Sequence, residues 1–252
     1  MNAKSPSHLA VLSGITSLHY RRIQGGNQLD AVGALRAHAF NSKEIYTEKF
    51  DGPVIEAYDD ADGSYVFGLY AQDTMLATVR LNVLSRANAD SPAVQTFPAE
   101  LRPLIDQGMT FIDPSRLAVD PLLVEQFPAL PIYILRTALI ATTHFEVNQC
   151  LAVVRTHHEA FYRRVFRSTR LGGPVDPGNT YDKLVLLGSV RENTRRIQER
   201  YPIFNFNAEE REALFADIPA GQSVSAPVMA SAAQVIGLDQ SDFLDIDRYK
   251  VA

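Results

Sequence analysis

Two apolar, β-type runs in this chain carry charge that a buried strand should not carry: Met109-Thr-Phe-Ile-Asp-Pro-Ser-Arg-Leu-Ala-Val119 and Ala77-Thr-Val-Arg-Leu81. Asp113 and Arg116 interrupt the first and Arg80 the second. Charged side chains are almost never buried unless paired. A carboxylate and two guanidinium groups aimed into one cleft could grip a polar ligand. The same residues could equally form a structural salt bridge at a strand end. Asp113 and Arg116 stand three apart, which on a regular strand puts them on opposite faces. Pro114 lies between them and cannot donate to a sheet ladder. A bulge at Pro114 would bring both side chains to one side and splay the strand from its neighbour.

The elements that must position these residues follow from pattern. Leu18–Ile23 reads as a first strand and Leu29–Phe40 as a helix, with Leu29, Val32, Leu35, Ala39 and Phe40 on one stripe. Residues 41–60 are polar and aperiodic, a loop or lid carrying Tyr46, Phe50 and Tyr58. Ser64–Tyr70 and Met75–Val83 form a hairpin about Gln72-Asp73. Residues 85–107, with Pro92, Pro98 and Pro103, make a long connection with one helical turn. After the charged strand 109–119 come a helix over 131–147, a strand over 150–155 and a helix over 157–167. A turn at Gly172-Gly173-Pro174, a strand over 183–187, a basic helix over 189–200 and a short helix over 208–215 complete the pattern. The order gives an α/β (α+β) fold with mixed strand directions. The strand 109–119, helix 131–147, strand 150–155 segment suits a right-handed crossover. The main domain is expected over 18–201, with a C-terminal helix and tail over 202–252.

Composition narrows the function. At 252 residues, 46% hydrophobic and 21% charged, the chain matches an ordinary soluble globular protein. A net charge of −5 argues against generic nucleic-acid binding. The lone cysteine, Cys150, opens an apolar run and reads as a small buried hydrophobe. The six histidines show no metal-ligand spacing, so no metal is expected. The apolar patch Leu9–Leu12 is too short for a signal peptide, and the segment Leu130–Val147 is too short to span a bilayer. A cytoplasmic location is expected.

The element order and the motifs Leu35-Arg36 with Phe40, Asp60 ahead of Tyr65, Thr78-Val-Arg80-Leu81 and Asp113-Pro-Ser-Arg116-Leu117 resemble the GNAT-type N-acyltransferases. More narrowly, they resemble the acyl-homoserine lactone synthases and N-acyl amino acid synthases, over about residues 18–187. The resemblance implies a central mixed, mostly antiparallel twisted sheet flanked by helices and splayed at a bulged strand. It also implies acyl transfer from a phosphopantetheine thioester to an amine. The chain departs from the lactone synthases in having no tryptophan and in carrying Asp113 where glutamate is usual, which favours the amino acid branch. Asp120–Phe127 lacks the glycines that cradle a CoA pyrophosphate, so acyl carrier protein is the expected donor and CoA the less favoured one.

Under that resemblance Asp113 is the general base or a water-orienting group, and Tyr162 donates to the leaving thiolate. Arg80 and Arg116 bind an amino-acid carboxylate or hold Asp113 ionised. Arg36, Phe40 and Asp60 complete the substrate-binding set. Backbone N–H groups freed at the bulge stabilise an oxyanion. The acyl chain lies between helix 131–147 and the sheet, against Phe111, Leu139 and Phe145. Arg155, Arg163, Arg164 and Arg167, together with Arg170, set a basic cluster on an acidic protein, suited to docking an acidic carrier protein. The alternatives are an acyl-homoserine lactone synthase, an acetyl-CoA-dependent enzyme, and a non-catalytic acyl- or amino-acid-binding module.

Overall fold

The computed structural model describes residues 18–43, 46–47, 49–124, 126–178, 182–217 and 224–228. Among the described residues eight strands form one sheet: β1 (Leu18–Ile23), β2 (Ser64–Ala71), β3 (Thr74–Leu84), β4 (Phe111–Val119), β5 (Gln149–Arg155), β6 (Thr169–Val175), β7 (Leu184–Val190) and β8 (Val224–Pro227). Their spatial order is β6-β7-β5-β4-β3-β2-β1-β8. Only β4 and β5 run parallel; the other neighbours are antiparallel. The mixed, mostly antiparallel sheet expected from the sequence is thus present, and β8 adds a paired edge strand within the region expected to be tail.

Eight helices accompany the sheet among the described residues: α1 (Gly26–Asn41), α2 (Pro92–Thr96), α3 (Pro98–Asp106), α4 (Pro121–Val124), α5 (Leu130–His144), α6 (Glu159–Val165), α7 (Asn193–Arg200) and α8 (Ala208–Phe215). The connection 85–107, read as one helical turn, holds both α2 and α3. Ser91 begins α2 by accepting from the Val94 N–H, and proline opens each helix, where its missing donor costs nothing. Gly172-Gly173-Pro174, expected as a turn, lies inside β6. That strand is irregular against β7, and Gly173 has φ of 86°. A Cβ there would sit 2.7 Å from the Leu184 carbonyl oxygen, so glycine permits the close approach.

One core layer unites α5, α6 and the C-terminal elements with one face of the sheet, through residues such as Tyr20, Leu76, Ile140, Phe161, Phe204 and Phe215. A second packs α2 and α3 on the other face, through Leu84, Val94, Phe97, Leu101, Phe111, Leu151 and Leu186. Every residue of α5 from Leu130 to Thr142 is buried, as a helix that is apolar all round requires. The exception in chemistry is Arg136, whose guanidinium bonds Glu210 of α8 at 2.9 Å and the Tyr20 hydroxyl at 2.7 Å. This buried ion pair fastens α8 to the central helix.

Candidate active site

β4 and β5 pair only over Phe111–Ile112 with Gln149–Cys150, and beyond that point they diverge. On its other edge β4 stays with β3, but Thr78 faces Ala118 while Arg80 faces Ser115. Arg116 and Leu117 therefore share the place opposite Val79. The expected bulge exists, shifted from Pro114 to Arg116–Leu117; Pro114 keeps its place in the register opposite Leu81. Arg116 adopts a left-handed φ of 53°, a conformation that non-glycine residues hold only when their surroundings impose it.

The divergence opens a cavity of about 650 Å³. Its wall takes Asp113 through Leu117 from β4, Cys150 through Arg155 from β5, Pro92, Ala93, Gln95 and Thr96 from α2, and Leu135, Ala138 and Leu139 from α5. Helices from both faces of the sheet contribute, so the space passes through the sheet at the split.

Asp113 is 1% exposed and lies on this wall. Its carboxylate accepts the Ala93 N–H at 3.0 Å, with Ser91 as its second partner. Burial raises its pKa above the usual carboxylate range, and the bonds from Ser91 and Ala93 only partly offset this. Of the two roles open to Arg80 and Arg116, holding Asp113 ionised is met only through the charge of Arg80, because both arginines pair with other carboxylates.

Their partners are Glu56, which caps a 3₁₀ turn, Ala57–Asp60, and Asp59 within that turn. Arg80 bonds Glu56 at 2.9 Å and Asp59 at 3.2 Å, and its Nε donates to the Ser115 hydroxyl at 3.1 Å. Arg36 bonds Asp59 at 2.8 Å and the Val54 carbonyl at 3.2 Å. Arg116 grips both Glu56 oxygens. Asp60, the acidic residue expected in this set, is exposed, and Asp59 takes its place. Arg36 and Arg80 are fully buried and lie off the cavity wall; Arg116 lies on it. Burial pushes the Glu56 carboxyl up, but the bonds and charge of Arg116 and Arg80 prevail and hold it at about 2.

Tyr162 and Phe166 line the cavity beside Leu135, Ala138 and Leu139. Burial keeps the Tyr162 hydroxyl protonated well above the ordinary tyrosine range, so it can donate a hydrogen bond. Phe111 and Phe145 do not form the expected acyl slot. Phe111 belongs to the core on the α2–α3 side, and Phe145 packs against Tyr65 and Phe215. From the lid segment, Tyr46 lines the cavity with Phe40 and forms a ring cluster with Phe40 and Phe50. Tyr58 turns away, donating to Asp90 at 3.0 Å.

The basic cluster divides. Arg163, Arg164 and Arg167 are exposed, and Arg170 is drawn to Glu159. Arg155 is 6% exposed, on the cavity wall with its guanidinium 5.8 Å from the Tyr46 ring, and so is not a surface docking residue. Sequence reasoning missed its neighbours: Lys43 and His158, the latter buried on the same wall. Cys150 also lines the cavity, and burial pushes its thiol up to about 12. Among the described residues there is no cluster of His, Cys, Asp and Glu suited to a metal, and no helix long and apolar enough to cross a membrane.

Residues 31–189 match the family model of the N-acyl amino acid synthase FeeM. The structure is similar to that of FeeM, an N-acyl amino acid synthase from uncultured soil microbes, with a TM-score of 0.57 at 14% identity over 69% of this chain and 91% of that one. It is also similar to BjaI, a CoA-dependent acyl-homoserine lactone synthase, with a TM-score of 0.53 at 16% identity over 72% of this chain and 89% of that one. No curated protein matches the chain in sequence.

Proposed function

Because the chain belongs to the FeeM family of N-acyl amino acid synthases and is an acyltransferase, we propose that it moves a fatty acyl chain from a phosphopantetheine thioester to the amino group of an amino acid. The observation that carries this reading is the position of Asp113, a buried carboxylate with a raised pKa on the wall of a cavity that crosses the sheet. An α-amino group with a pKa of about 8 arrives mostly protonated at pH 7. A carboxylate with a raised pKa is suited to take that proton.

The freed amine attacks the thioester carbonyl, forming the C–N bond of a tetrahedral intermediate. Backbone N–H groups of β4 beyond Ile112, released from pairing with β5, are the candidate oxyanion donors. Collapse breaks the C–S bond, and the nitrogen's second proton leaves to balance the thiolate. The Tyr162 hydroxyl, protonated and on the cavity wall, would donate a hydrogen bond to the departing sulfur. Leu135, Ala138, Leu139 and Phe166 supply the apolar slot for the acyl chain. Arg116, on the wall but bound to Glu56, shapes the bulge and does not serve as the carboxylate clamp.

Acyl carrier protein is the donor this reading favours over CoA. Asp120–Phe127 contains no glycine to bring backbone close to a pyrophosphate, and Arg163, Arg164 and Arg167 offer an exposed basic face to an acidic partner. The test is mass spectrometry of reactions holding the protein, a mixture of amino acids, and either acyl carrier protein or CoA loaded with the same acyl chain. Acyl amides that form from the carrier protein and vanish with Asp113→Asn support the reading. Preference for acyl-CoA would reverse the donor, N-acyl homoserine lactone as product would move the chain to the lactone branch, and no acyl amide would reject the function.

A further inference from the structure

Two cationic side chains and a buried imidazole gather where β5 ends against the α1–β2 loop. Arg155 closes β5, His158 follows within a turn of 3₁₀ helix, and Lys43 comes from the loop after α1. His158 is 4% exposed and lines the cavity, and neither ring nitrogen has a hydrogen-bond partner. A buried imidazole without partners is costly unless something else completes it. The charges facing it are Arg155, Lys43 and His157, and they drive the same way: burial first, then these neighbours, hold His158 at about 3. Burial and the charge of Arg155 lower Lys43 to about 8. The acidic residue on this side, Asp182, bonds His157 at 3.1 Å and also acts on Arg155. Such a grouping is electrostatically unfavourable by itself and becomes favourable around an anion.

We propose that Lys43, Arg155 and His158 form the subsite for the carboxylate of the amino-acid acceptor. This rests on the acyltransferase reading and gives the carboxylate a different clamp from the one the sequence suggests. Arg80 and Arg116 are held by the carboxylates Glu56 and Asp59; Arg155, which Tyr46 and Asp182 also engage, lies with His158 on the cavity wall. Arg155 and Asp113 sit on the two strands that diverge, so an acceptor anchored at β5 can extend its amino group towards β4. The acceptors are therefore free α-amino acids; simple amines, amino-acid amides and esters are excluded.

The test compares N-dodecanoylglycine, a product-like probe, with N-dodecanoylglycinamide, which differs only in lacking the charge. Titration calorimetry on the wild-type protein should show the acid binding about tenfold more tightly, the size of one charge-assisted contact. Lys43→Gln and Arg155→Gln should each remove that preference and leave amide binding unchanged. Lys43 is partly exposed, so its variant tests the idea even where Arg155→Gln fails to fold. Equal binding of acid and amide by wild type, or an undiminished preference in Lys43→Gln, overturns the subsite. So does a raised KM for the acyl-phosphopantetheine donor with an unchanged KM for the amino acid, which would assign the cations to the donor phosphate. Wild-type protein that discriminates the probes but makes no acyl amide would reject the transferase function and leave the carboxylate site standing.

Discussion

Arg116 and Glu56 stand sixty residues apart and meet as a forked pair, Nε to Oε2 at 2.8 Å and a second guanidinium nitrogen to Oε1. The pair holds the bulged strand to the 3₁₀ turn while Arg116 keeps φ at 53°. Lysine cannot reproduce the fork. Arg116→Lys should lower acyl transfer at least about tenfold and cost roughly 1–2 kcal/mol of stability, measured by steady-state kinetics beside urea unfolding. Unchanged turnover would show that the bulge holds without the pair.

Asp59 is the common partner of two fully buried guanidinium groups, Arg36 and Arg80. Asp59→Asn leaves both without their shared charge and should cost about 3–5 kcal/mol in chemical denaturation. Asp60→Asn, one residue along and exposed, should change stability by less than about 0.5 kcal/mol.

Glu56 adds a pH signature. Its folded pKa of about 2 lies below its ordinary value of 4.5, so its contribution is present above pH 4.5 and is lost as pH falls towards 2. Wild-type stability should therefore drop across that window, and the drop should be shallower in Glu56→Gln. Parallel curves for the two proteins would show that other groups govern the acid limb.

For Asp113 the sign is opposite. Its pKa is raised in the fold, so its contribution is present at low pH and is lost as pH rises through the folded value. Asparagine keeps an oxygen for the Ala93 N–H, and Asp113→Asn should be at least as stable as wild type at neutral pH. Its kcat should fall about 10²–10⁴-fold. A variant that loses stability and keeps turnover would make Asp113 a structural residue.

Cys150 is the chain's one thiol and lines the cavity, yet its pKa of about 12 leaves almost no thiolate at neutral pH. Acyl transfer should go directly from donor to amine. Cys150→Ala should retain turnover within about threefold, and intact-mass spectra of wild type with donor alone should show no acylated protein. A mass increase of one acyl group, lost in the variant, would establish a covalent intermediate instead.

The sequence made the order of elements from β1 to β5, the hairpin and the bulge in β4 readable, because charge and proline in an apolar run leave few other arrangements; β6 and β8 were not. It placed the bulge two residues early, since Pro114 marks where a ladder donor is missing and carries no information about where Arg116 finds its carboxylate. The carboxylates themselves were harder. Asp59, Asp60 and Asp62 stand close together in an aperiodic loop. A 3₁₀ turn, in which residues three apart eclipse, selects Glu56 and Asp59 as the inward pair. Phe111 and Phe145 looked alike as apolar candidates because periodicity cannot tell which side of a sheet a side chain will occupy once the strands diverge. His158 and Lys43 had no signal in the sequence at all; only the crossing of β5 with the α1–β2 loop joins them.

The seam of Phe111–Ile112 with Gln149–Cys150 also has a mechanical meaning. Two half-sheets, one holding β1–β4 and β8 and the other β5–β7, are joined by that short ladder, with α5 across one face and the α2–α3 core across the other. Rotation about that ladder alters the width of the gap at its far end without breaking a hydrogen bond within either half. Under the proposed reaction, Leu135, Ala138 and Leu139 from α5 line the gap that such a rotation would widen or narrow around an acyl chain.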